Sequence, residues 1–137
     1  AGDAHLKTIL GTGNLVSFSN VARASLVAMM AGADFIKTST GKEGINANLP
    51  VSLVMLRAIR EFHQRTGTMV GFKPAGGIRA ARDAISYLIL MREELGFPWL
   101  NAHYFRIGAS GLLGDISRQL EHYLSGRYSA SHRHPMG

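Results

Sequence analysis

Lys37 closes the short apolar run Asp34-Phe35-Ile36-Lys37, and the hydroxyl-rich stretch Thr38-Ser39-Thr40-Gly41-Lys42 follows it. Lys73 closes a second run, Gly71-Phe72-Lys73, and Pro74 fixes the chain as it leaves. A lone lysine at such a place is ordinarily a solvated rim charge. Two lysines that end neighbouring parallel strands are different, because such strands lie about 4.8 Å apart. At about 5 Å and an effective dielectric of about 20, two ammonium groups repel by roughly 3 kcal/mol, enough to leave one amine partly neutral near pH 7. A neutral lysine attacks carbonyl carbons to form a Schiff base, and a neighbouring cation is one way to produce it.

Two glycine-bearing loops, Ala75-Gly76-Gly77-Ile78-Arg79 and Gly108-Ala109-Ser110-Gly111, each run directly into a helical segment. Glycine lets the backbone approach an anion closely, and a helix N-terminus offers unpaired N–H groups at the positive end of its dipole. Either loop alone reads as a tight turn; the two together predict a phosphate site. Nucleotide motifs are absent. Gly11-Thr12-Gly13 lacks the third glycine of a dinucleotide fingerprint, and Gly41-Lys42 precedes Glu43, with Ile36 where a P-loop needs its first glycine. Without cysteine there is no disulfide frame, thiolate zinc site or cysteine nucleophile, which points to a reducing, cytoplasmic setting. His132 and His134 read as part of a solvated terminus, with no carboxylate near them in sequence to complete a metal site.

Positioning these residues requires repeated βα units. Four apolar runs read as strands: His5 to Leu10, Ala33 to Lys37, Met69 to Lys73 and Tyr104 to Gly108. Each leads through a loop into a helix. The first helix is expected from an N-cap at Asn20 to Gly32, the second from Pro50 in its first turn to Gly67. The third is expected over about 80 to 95 and the fourth over about 112 to 124. Met29, Met30 and Met55 are assigned to helix faces packed on the sheet, and Asp34 to a structural role at the entry to its strand. Short apolar strands alternating with helices predict an α/β class with a parallel sheet. Four units make about half of a (β/α)8 barrel of TIM type, which needs about 250 residues. Such barrels commonly hold phosphate at the loops after strands seven and eight, so these units count as strands 5 to 8.

With 137 residues, 46% hydrophobic and 18% charged, the chain suits one compact domain over 1–125 and argues against disorder. A Ser- and His-rich tail, 126–137, is expected to be flexible. No stretch is long and apolar enough for a membrane span, and no signal segment opens the chain. The net charge of +6 favours an anionic partner. Nucleic acid is not expected, because the basic residues are scattered without aromatic interleaving or a recognisable module. An isolated half-barrel exposes sheet edges and an apolar interior, so a homo-oligomer or association with a missing N-terminal half is expected.

The runs Ala33-Asp34-Phe35-Ile36-Lys37-Thr38-Ser39-Thr40-Gly41-Lys42, Gly71-Phe72-Lys73-Pro74-Ala75-Gly76-Gly77-Ile78-Arg79 and Arg106-Ile107-Gly108-Ala109-Ser110 closely resemble the deoxyribose-phosphate aldolase family. The likeness covers essentially the whole chain, as the C-terminal half of that family's barrel. It implies a class I aldolase, without cofactor, that cleaves 2-deoxyribose 5-phosphate reversibly to acetaldehyde and glyceraldehyde 3-phosphate. Its partners are thus a sugar phosphate and small aldehydes. By this resemblance Lys37 is the Schiff-base lysine and Lys73 the second active-site lysine. Thr40 and Lys42 lie on the substrate side, and Gly76, Gly77, Gly108, Ser110 and Gly111 around the phosphate. There are departures. The family's proton-relay aspartate comes from an earlier strand and has no counterpart among Asp3, Asp34, Asp83 and Asp115. Gly111 replaces a second hydroxyl but keeps its N–H, and Gly11 replaces a bulkier residue. The tail offers Tyr128 where the family can carry a functional tyrosine. The competing expectation is a non-catalytic half-barrel that binds sugar phosphates or serves as an interaction module.

Overall fold

A computed structural model of the chain describes residues 4–130. His132, His134 and the larger part of the predicted tail lie outside the described residues. Three short parallel strands, β1 (Lys7–Ile9), β2 (Phe35–Lys37) and β3 (Gly71–Lys73), form a sheet in the order β1-β2-β3. Lys7 pairs with Phe35 and Phe35 with Gly71; two residues on, Ile9 pairs with Lys37 and Lys37 with Lys73. Four helices follow the βα rhythm: α1 (Phe18–Met30), α2 (Leu49–Thr66), α3 (Ala81–Leu95) and α4 (Leu112–Ser125). Single 3-10 turns at Thr12–Asn14 and Phe97–Trp99 were not foreseen.

The predicted fourth strand is a correction. Tyr104 to Gly108 runs parallel to β3 but makes only two isolated bridges, Phe72 with Phe105 and Ala75 with Gly108. The Phe72 N–H donates to Tyr104 O and the Arg106 N–H to Phe72 O; beyond these, the Gly108 N–H donates to Pro74 O. The rung between them would need an N–H on Pro74, which proline lacks. The residue that steers the chain away from Lys73 therefore also breaks the ladder.

The starts of α1 and α2 are set by side-chain caps. Ser17 caps α1, its Oγ accepting from the Asn20 N–H, so the helix begins earlier than the Asn20 cap predicts; Asn20 instead donates from its amide to Leu15 O. Asn48 caps α2 through the Val51 N–H, with Pro50 in the first turn, and Gly67 closes it at φ 74°. Gly126 closes α4 in the left-handed region.

Side chains alternate across a strand, and this decides the two faces of the sheet. Ile36 and Phe72 point into the main core with Val21 and Met29 of α1, Met55 and Ile59 of α2, and Met91 of α3. Met30 is exposed, against expectation: it lies on the solvent side of α1, next to the buried Met29. The opposite face of the sheet carries Lys7, Phe35, Lys37, Gly71 and Lys73. Asp34 has the structural role expected of it, its Oδ2 accepting from the Leu6 N–H at 2.7 Å.

Candidate active site

At the carboxyl ends of the strands lies a cleft of about 390 Å³. It brings together Lys37, Thr40, Lys42, Gly76, Gly77, Gly108 and Ser110, residues drawn from three separate loops. Lys73 stands beside Lys37 as its register partner. Its stem runs along Gly108, where an added Cβ would come within 3.3 Å of Lys73 Cε. Gly111 does not line the cleft; it sits at the N-terminal boundary of α4, its carbonyl accepting from the Asp115 N–H. Arg79 lines the cleft and was missed as a site residue. Its signal is a cation two residues after Gly77, at the end of the glycine loop.

The hydroxyl-rich loop divides into structural and exposed members. Thr38 and Ser39 are fully buried, and both grip Ala75. Thr38 Oγ1 accepts from the Ala75 N–H at 2.9 Å, and Ser39 Oγ donates to Ala75 O at 2.8 Å and contacts Asn46 Oδ1 at 3.0 Å. These bonds tie the loop after β2 to the loop after β3. Thr40 is exposed, its N–H donating to Glu43 Oε1 and its Oγ1 accepting from the Lys42 N–H. Gly76, at φ 86°, lies against Asn46, where a Cβ would meet the side chain at 2.7 Å. No other residue type fits both constraints without strain.

The two helix N-termini beside the cleft are not equivalent, which corrects the expectation that each offers free N–H groups. At α3 the Ala81 N–H donates to Asp115 Oδ2 at 2.7 Å and the Ala80 N–H to Asp83 Oδ2 at 3.3 Å. Two carboxylates already answer that dipole end. The start of α4 has no side-chain cap and follows Ala109 and Ser110 of the cleft wall. It is the more open end for an anion.

Lys73 lies below the ordinary lysine range, first because it is partly desolvated and then because Lys37, Lys7 and Arg106 repel its charge. The charge of Lys73 was expected to keep Lys37 nucleophilic; the lowering is found on Lys73 itself. His122 stacks on Tyr128 with ring centroids 4.4 Å apart, while Tyr128 stays largely exposed. Among the described residues no group of three or more His, Cys, Asp or Glu side chains is placed to hold a metal ion. No helix of the described residues is long and apolar enough to cross a membrane.

Consecutive βα units with a polar, cationic cleft at the carboxyl ends of parallel strands define an α/β protein with its candidate site where such folds carry chemistry. Residues 6–97 match the sequence profile of the DeoC/LacD family aldolases. The chain belongs to that family. It is 64% identical to the deoxyribose-phosphate aldolase of Mus musculus and 62% identical to that of Homo sapiens, each over 98% of this chain and 42% of the relative. Among solved structures, a Toxoplasma gondii chain assigned as a deoxyribose-phosphate aldolase aligns with a TM-score of 0.77 at 26% identity, over 90% of this chain and 48% of that one. An aldolase named QR15 aligns with a TM-score of 0.61 at 28% identity, over 86% and 44% of the two chains. The chain therefore spans less than half the length of these relatives.

Proposed function

We propose that this chain carries the Schiff-base and phosphate-binding half of a deoxyribose-phosphate aldolase. The observation that supports this reading above the others is the register pairing of Lys73 with Lys37, which lines a glycine-walled cleft. In the cleavage direction the Lys37 amine adds to the aldehyde carbon of open-chain 2-deoxyribose 5-phosphate, and loss of water leaves an iminium. The C2–C3 bond then breaks as the C3 hydroxyl loses its proton. Glyceraldehyde 3-phosphate departs, and the electron pair is held as an enamine on Lys37. Protonation of the enamine carbon and hydrolysis release acetaldehyde and restore the amine. No external electron sink is required. Lys73, close by and with its proton affinity lowered, suits proton exchange at these steps. Gly76, Gly77, Ser110, the open start of α4 and the Arg79 and Lys42 cations would hold the phosphate. Thr40 faces the sugar, and Gly108 leaves room for the Ala75 side chain and the Lys73 stem.

We also place these units as strands 5 to 8 of the barrel. The uncovered sheet face and the free side of β1 suit a preceding half of the same fold, and its docking would complete the site. A second reading, a sugar-phosphate-binding half-barrel without turnover, is favoured by one observation: no carboxylate lines the cleft. Cleavage of 2-deoxyribose 5-phosphate, followed as released glyceraldehyde 3-phosphate, separates the two. Turnover by a protein containing this chain, abolished by Lys37→Arg, supports the aldolase. Phosphate-ester binding without turnover, in a protein with the barrel complete, supports the binding module.

A further inference from the structure

One layer below the lysine pair, the same sheet face carries a second cationic group built around an aromatic ring. Phe35 is only 1% exposed although no helix covers this face. Its ring lies over Gly71, where a Cβ would come within 2.4 Å of it. Lys7 Nζ sits 5.0 Å from the ring centroid and Arg106 Cζ 5.5 Å from it. Both contacts fall in the range where an aromatic face attracts a cation, and the stems of the two side chains cover the ring. Arg106 is further anchored by Nε donating to Ala102 O at 3.0 Å.

We propose that Lys7 and Arg106 are positioning residues for the lysine pair, held on the Phe35 ring so that their charges bear on Lys73 from below. Both neighbours of β3 present a cation to Lys73, Lys37 from β2 and Arg106 from the 104–108 segment, and Lys7 adds a third from β1, one strand further across the sheet. The nearest acid at the base of these strands, Asp34, is turned away towards the Leu6 N–H and His5. Four positive groups gathered on one sheet face repel one another, and the Phe35 ring offsets part of that cost for the lower two. Gly71 is required because any side chain there would displace the ring and both cations with it. The arrangement lowers the proton affinity of Lys73 below that of an ordinary lysine. Only the use of that proton in catalysis rests on the aldolase reading; the charge coupling does not.

The test is the titration of Lys73 followed by NMR of the protein carrying 13C,15N-labelled lysine, which needs no turnover. Lys7→Met and Arg106→Met keep an apolar stem on Phe35 and remove the charge. Each is expected to move the Lys73 midpoint to higher pH, with a larger move in the double variant, and Lys7→Arg is expected to restore the native midpoint. Phe35→Leu, which keeps apolar bulk but releases both cations, is expected to move it in the same direction. In the unaltered protein, raising salt is expected to move the midpoint upward by screening, which removes dependence on any variant's folding. A midpoint unmoved by both charge removals, or by salt in the unaltered protein, overturns the proposal. Failure of the aldolase reading would show instead as no chemistry at Lys37, with the Lys73 midpoint still responding to Lys7 and Arg106.

Discussion

Lys37 and Lys73 are direct register partners on adjacent parallel strands, so the two side chains leave the sheet on the same face at the same level. The sheet ladder itself enforces the like-charge pair. Burial and three neighbouring cations hold Lys73 below the ordinary lysine value of 10.5. Folded Lys73 therefore binds its proton more weakly than unfolded Lys73, and the unfolded chain holds more protons between the two pKa values. Stability from this group rises with pH through the folded pKa and levels off near the unfolded one. Lys73→Met is expected to raise the urea midpoint at neutral pH, with the gain shrinking as pH approaches the ordinary lysine range. A lower midpoint at neutral pH would show that Lys73 is a net stabilising contact.

The Thr38 and Ser39 hydroxyls are expected to act on stability rather than on substrate. Thr38→Val strands the buried Ala75 N–H, at a cost of about 1–3 kcal/mol. Ser39→Ala removes the bonds to Ala75 O and Asn46, at about 1–2 kcal/mol. Urea unfolding of each variant measures the loss, and an unchanged midpoint would contradict the clamp.

Gly76→Ala combines a left-handed backbone with a contact at 2.7 Å to Asn46. The expected cost is about 1–3 kcal/mol, accompanied by weaker phosphate binding as the loop shifts. Calorimetry with inorganic phosphate, read beside thermal unfolding, separates the two effects.

Asp115→Asn is expected to weaken the tie between α3 and α4, because the Asp115 carboxylate caps the Ala81 N–H from the neighbouring helix. The expected loss is about 0.5–2 kcal/mol. Removing this negative charge beside the cleft should also tighten phosphate binding slightly. Equal stability of variant and parent in urea would show that the cap is dispensable.

The α/β class, three of the four strands and all four helices were legible because apolar runs, Gly stops and the Pro50 start each have a local cause. The fourth strand was not, because its incomplete ladder arises in the neighbouring segment, at Pro74. Ser17 was passed over as a cap because Asn20, three residues on, offers the same chemistry; the bond from the Asn20 N–H to Ser17 Oγ decides between them. Six of the predicted site residues, Thr40, Lys42, Gly76, Gly77, Gly108 and Ser110, line one cleft with Lys37, while Lys73 and Gly111 are not among its lining residues. The occupied N-terminus of α3 was hidden because Asp115 reaches it from another helix. In the sequence Phe35 is one apolar residue of a strand run, and only the pairing of three strands shows that it carries two cations on its ring.

Lys37 is the residue on which the proposed chemistry turns, and borohydride trapping with acetaldehyde reads it directly. The protein containing this chain is incubated with acetaldehyde, reduced, digested and mapped by mass spectrometry. A single ethyl group on Lys37, absent without acetaldehyde and far in excess of any on the more exposed Lys42, is the predicted result. Modification that merely follows lysine exposure, or none on Lys37 in a folded sample with the barrel complete, would contradict it.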